Sequence, residues 1–87
     1  MARGTVDPKY KYYLEDLGYL LREQALEAKA RRDAAQDKDD RLFHSGILLA
    51  YYAVISLMQQ QAAGFDIPLE ELRLDGLDPD RDLLRYS

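Results

Sequence analysis

Residues 45–65 carry no formally charged side chain, and their centre, Ile47 to Met58, is apolar on nearly every side of a helix. A helix hydrophobic all round is normally enclosed, so the central question for this chain is what encloses it. At 87 residues there is room for one domain with one modest core, and a domain this small is marginal unless something adds burial. There is no cysteine, which removes disulfide staples, thiol chemistry and cysteine-ligated metal. A dimer interface is the remaining common remedy. A membrane span is not the expectation. It needs ~20 predominantly apolar residues, whereas the solid run stops at Met58 and Gln59, Gln60 and Gln61 follow at once. Met1 to Val6 has no apolar run behind its single charge, so no signal peptide is read and a cytoplasmic location is expected.

The segments around the apolar run are helical in pattern. Asp7-Pro8 is a helix start, because the carboxylate can accept from an orphan backbone N–H and proline suits the first helical position. Apolar residues then recur at Tyr10, Leu14, Leu17, Leu21, Ala25 and Ala28, the three-and-four spacing of one helical face. This predicts a first helix over 8–35. Asp37-Lys38-Asp39-Asp40 breaks it, since Asp favours caps over helix interiors, and either Asp37 or Asp39 could open a second helix. A second helix then runs from about residue 40 to Ala63, with Gly64 expected in the left-handed conformation behind it. A single continuous rod is the rival, because no Gly or Pro enforces the turn. With a turn near Lys38, antiparallel pairing places Gly46 opposite Ala30 and Gly18 opposite Met58. That pairing predicts a hairpin narrow at its turn and wide at its open end.

The acidity is local. Residues 1–63 hold nine basic and nine acidic side chains, while residues 64–87 hold three arginines against seven carboxylates, which is the whole of the net −4. A broad phosphate-binding surface needs clustered Lys and Arg, so nucleic acid is not an expected partner. The tail reads as two short helical turns, one at Pro68 to Leu72 with Asp66 as its cap, the other begun by Asp78-Pro79. Leucines 69, 72, 74, 77, 83 and 84 imply that it packs on something. The chain therefore divides into an N-terminal extension (1–7), a helical hairpin (8–64) and an acidic, leucine-bearing segment (65–87).

Few residues carry chemistry. Asp40, Arg41 and His44 fall within one turn and could share a face, a histidine acid or base beside an anion-holding arginine. No nucleophile and no second histidine accompany them, so they stand only as weak catalytic candidates. Asp78-Pro79-Asp80-Arg81-Asp82 begins like a calcium loop, but its sixth position is Leu83 rather than Gly and the chain has no twelfth. No metal or cofactor is expected. Seven tyrosines are the unusual feature, because tyrosine suits interfaces where one end is apolar and the other wet. Tyr10, Tyr13, Leu17, Tyr51, Tyr52, Ile55, Leu57 and Met58 are the expected interface residues.

The helix pair, with Ala50-Tyr51-Tyr52-Ala53 in its second helix, resembles the HEPN-type helical domains found in RNases and nucleotidyltransferase partners. Active members carry an Arg separated from a His by four to six residues; here only Leu42 and Phe43 separate Arg41 from His44, and the chain is short for that fold. The resemblance implies an RNA-processing or nucleotide-handling role, supported if Arg31, Arg32, Lys38 and Arg41 form one basic surface around His44. A third reading is a small-ligand binder with tyrosines lining an inter-helix groove. The primary expectation is an all-α, non-enzymatic hairpin that homodimerises into a four-helix bundle with its tail outside. It would act through protein–protein interaction as an adaptor, antitoxin-like or regulatory partner.

Overall fold

A computed structural model describes residues 8–85. Two long helices, α1 (Pro8–Ala34) and α2 (Lys38–Gly64), form an antiparallel pair; a 3₁₀ turn (Leu69–Leu72) and a π turn (Asp80–Leu84) follow. The break between the helices excludes the continuous rod. Asp37 opens α2 with extended backbone, its carboxylate accepting from the Asp40 N–H at 3.2 Å. Proposed caps at Asp7 lie outside the described residues, as does the extension 1–7.

The far end of α2 closes differently from expectation. Gly64 remains helical, and the left-handed residue is Asp66, at φ 57°. The chain turns here by bonding back onto the helix, the Ile67 N–H donating to the Ala62 carbonyl at 2.8 Å. Asp66 is therefore the bend and not the cap of the next turn, whose first residue has no side-chain cap. Asp78 does cap the last turn, accepting from the N–H groups of Asp80 and Arg81, while Asp82 accepts from the Asp78 N–H at 2.8 Å.

The core shows what lets so short a chain close. Helix α1 contributes small residues, Ala25 and Ala28; α2 contributes Leu48, Ile55 and Ala62; the tail contributes Leu72, Leu74, Leu77 and Leu83. Leu48, Ile55, Leu74 and Leu83 are the largest side chains wholly removed from water. Each such leucine or isoleucine contributes about 1.5–3 kcal/mol of transfer free energy. Without the tail, both central residues of α2 would lose part of their cover.

The structure keeps the helices near the expected register, with Tyr51 bonded to Gln24, but corrects the role expected of the two glycines. A Cβ on Gly18 would stand 1.7 Å from the carbonyl oxygen of Leu72, so the glycine exists to admit the tail, not to meet Met58. Gly46 has open space where a Cβ would be, so it does not bring the helices together opposite Ala30. Close approach in this protein is between helix and tail.

The tail lies along one side of the hairpin only. Among the described residues, α2 alone is long and apolar enough to cross a membrane by length and composition, a test that the core helix of a soluble protein also passes. Much of it is nonetheless uncovered: Leu42, Phe43, Leu49, Val54 and Leu57 are all exposed.

Candidate functional site

Three side chains of the hairpin fix the tail, and all three do so through its main chain. Arg22 on α1 donates to the carbonyls of Arg73 and Asp75 at 3.0 and 2.7 Å. Arg32, one α1 stripe away and 4% exposed, donates to those of Leu84 and Arg85 at 2.8 and 2.9 Å and to the Asp33 carboxylate. Gln59 on α2 donates to the carbonyls of Leu74 and Leu77. A guanidinium suits this work because its planar fork reaches several acceptors at once. A buried arginine without partners would be costly, and here the carbonyls of Leu84 and Arg85 supply them. The sequence did not show this role for any of the three, because a carbonyl acceptor exists at every residue and leaves no pattern to read; Arg32 was instead expected, under the RNA-processing reading, in a basic surface around His44.

Tyr52 adds a side-chain tie, its hydroxyl donating to Asp80 at 2.7 Å. That hydrogen bond, with the charge of Asp80, raises the phenol above its ordinary pKa. The neighbouring Asp82 is held down to about 2, first by the Arg81 guanidinium, which donates to both its oxygens, and then by the Asp78 N–H.

With the tail on one side, the opposite side of the hairpin is bare. On α1 it consists of Tyr13, Leu17, Leu20, Gln24, Glu27 and Arg31; on α2 it consists of Phe43, Ile47, Ala50, Val54, Leu57 and Gln61. Both sets follow the alternating three-and-four spacing of one helical face, and all but the half-buried Leu17 are exposed. The two stripes adjoin. Gln24, Glu27 and Arg31 line one groove of about 400 Å³ with His44, Ile47 and Tyr51, and the Tyr51 hydroxyl donates across it to Gln24 at 2.7 Å. At the open end, Leu14 shares an apolar groove with Met58 and Gln61.

This arrangement sorts the residues expected at an interface. Tyr13, Leu17, Tyr51, Leu57 and Met58 border or form the bare face, and Tyr10 is exposed near the open end, lining a groove with Leu14 and Ile67. Ile55 has no exposed surface, because it is enclosed within the chain's own core, and Tyr52 is tied to Asp80. Ile55 is therefore not available to a partner as the sequence suggested, while the half-buried Tyr52 has its hydroxyl committed to the tail. Phe43, Ile47, Ala50 and Val54 are the exposed residues of the bare α2 stripe that the sequence did not single out. Their spacing was legible, but in a helix apolar all round no stripe announces itself until one side is covered.

The turn end separates the weak catalytic candidates. Arg41 reaches back to the Ala35 carbonyl at 3.0 Å, and neither it nor Asp40 lines the groove that holds His44. His44 packs edge-on against Phe43 at 5.3 Å, and the arginine beside it is Arg31 of α1, paired with Glu27 at 3.2 Å. With Arg32 buried beneath the tail, Arg31, Arg32, Lys38 and Arg41 do not form one basic surface around His44. The groove offers hydrogen bonds but no serine, threonine or cysteine nucleophile, and Tyr51 is its one tyrosine.

Comparison with protein-family models, with curated proteins and with solved structures finds no match to this chain. What the fold itself defines is an all-α hairpin, faced on one side by its own C-terminal segment.

Proposed function

We propose that this protein acts through protein–protein association and that its bare face seats a second copy, giving a four-helix bundle with the two tails outside. The observation that carries this reading is the one-sided cover: leucines from the tail close one face of the hairpin, and the opposite face keeps an uncharged α2 stripe in water. Two helices about 40 Å long, 8–10 Å apart, present a face of roughly 800 Å², the area each partner gives to an interface of standard size. A bilayer fits less well. The charged residues of α1 and the acidic tail flank α2, so a crossing would take them into the hydrocarbon, where charges are expensive. A surface-bound helix would carry lysines and arginines around its apolar face, and this chain has a net charge of −4. An adaptor or regulatory role would then fall to the paired bundle.

Light scattering at micromolar concentration tests the reading. The expected mass is twice the 10.1 kDa of the chain, falling to one chain in Val54→Glu with helicity retained, because Val54 is 44% exposed in the single chain. A single-chain mass for the native protein at high micromolar concentration would overturn it, and flotation of that monomer with lipid vesicles would assign the face to a membrane.

A further inference from the structure

The α2 stripe reads the same in both directions. From Phe43 it steps by four, three, four, three and four residues through Ile47, Ala50, Val54 and Leu57 to Gln61. Reversing the helix about residue 52 places Ile47 at the level of Leu57, Ala50 at that of Val54, and Phe43 at that of Gln61. The α1 stripe has the same property, pairing Tyr13 with Arg31, Leu17 with Glu27 and Leu20 with Gln24. A two-fold contact uses the same patch on both copies, so each contact recurs in reverse, and this spacing sets every stripe residue of one copy at the level of a stripe residue of the other.

The two ends of the stripe are also complementary in shape. At the turn end Phe43 stands 65% exposed, a projecting ring. At the open end, about 27 Å away along the helix, lies an almost wholly apolar groove of about 190 Å³ lined by Leu14, Met58, Gln61, Ala62 and Phe65 and by Ile67 and Leu72 of the tail. Among the described residues no side chain fills it.

From the reversible stripe and this ring-and-groove pair we infer the arrangement of the two copies: antiparallel, α2 on α2 and α1 on α1, with each Phe43 seated in the open-end groove of the partner. The inference rests on the dimer proposed above and gives it a register. Ala50 against Val54 lets a small residue meet a branched one at the centre, so the helices interdigitate. Arg31 comes over the exposed ring of Tyr13 in the other copy, where a cation is attracted to the aromatic face. The parallel alternative sets ring beside ring and groove beside groove.

The native chain has no cysteine, so engineered pairs give a clean answer. Chains carrying Ile47→Cys and Leu57→Cys are prepared separately, mixed, annealed and oxidised. The expected result is a covalent dimer in the mixture and little from either variant alone. Self-linking of Ile47→Cys would show a parallel arrangement or an antiparallel one in a shifted register, and no linkage in a protein of two-chain mass would show a different face. Either overturns the antiparallel register while leaving the dimer standing; a one-chain mass for the native protein removes both. As an independent readout, Phe43→Ala is expected to weaken association at least tenfold without loss of helicity, and unchanged association would overturn the seating of the ring.

Discussion

Gly18 lies so close under Leu72 that a methyl group added to the glycine would sit 1.7 Å from the leucine's carbonyl oxygen. In a free helix Gly→Ala stabilises by about 1 kcal/mol. Here that gain is overridden, because a backbone carbonyl cannot yield as a flexible side chain can. Gly18→Ala should destabilise the fold by about 1–3 kcal/mol, the usual scale of overpacking. Thermal unfolding measures the net effect, and hydrogen exchange should show the loss concentrated in residues 69–77. Gly46→Ala, with open space around it, should move stability the other way.

Arg32 anchors the last turn by donating to the carbonyls of Leu84 and Arg85. Hydrogen bonds from a charged donor contribute about 1.5–3 kcal/mol, so Arg32→Met should cost on that order and free residues 80–85. Arg32→Lys should not restore the loss, since a single ammonium lacks the planar fork that serves two carbonyls and Asp33 together. Denaturant titration of the three proteins, read beside exchange rates in the tail, checks both expectations.

Acid should loosen the tail late. Asp82 is held down to about 2 in the folded chain, below the ~3.9 of an unfolded aspartate. A lowered folded pKa gives stability that is full above the unfolded value and is lost as pH falls through the folded one. The cap around Asp78 should therefore persist at pH 5 and weaken progressively between about pH 4 and pH 2. Following the Leu83 methyl resonances against pH would show it, and Asp82→Asn should abolish the transition.

Base should loosen it too, through a different group. Asp80 raises the Tyr52 phenol above its usual value of 10.0. A raised folded pKa contributes stability below the unfolded pKa, and that contribution disappears as pH rises through the folded one. Tail exchange, corrected for its intrinsic pH dependence, should accelerate above pH ~10 in the native protein. In Tyr52→Phe it should already be faster at neutral pH and show no alkaline step.

If two copies pair as proposed, stability is tied to concentration, because ligation of the folded form by a second chain adds to its free energy by mass action. The melting temperature should rise over a dilution series from nanomolar to high micromolar, and Val54→Glu should flatten that dependence.

Much of the fold was legible because it rests on local chemistry. Pro8 opened α1, Asp37 opened α2, and Asp78 opened the last turn, each through a cap or a fixed φ that a sequence displays. The leucines of the tail announced a need for cover, and the uncharged run in α2 announced where cover was short. Three things were not legible. Asp66 rather than Gly64 took the left-handed position, because the bond from Ile67 to the Ala62 carbonyl decided where the chain bent. The role of Gly18 depended on a residue 54 positions away. The placement of His44 beside Arg31 instead of Arg41 depended on which side of α1 faced the turn end, and nearness in sequence misled.

The capture of the tail through six carbonyls, those of Arg73, Leu74, Asp75, Leu77, Leu84 and Arg85, bears on how the sequence can drift. A carbonyl is the same whichever side chain it belongs to, so the hairpin grips the tail without reading most of its letters. Saturation mutagenesis should find Glu70, Glu71, Asp75 and Arg85 nearly indifferent to replacement, whereas Arg73, left-handed at φ 58°, should reject β-branched residues and proline. Intolerance should gather at the buried leucines and at Arg22, Arg32 and Gln59. Related chains could then carry tails of quite different charge on an unchanged hairpin, and the outer surface of the molecule would be free to take on new partners while the fold beneath it stays put.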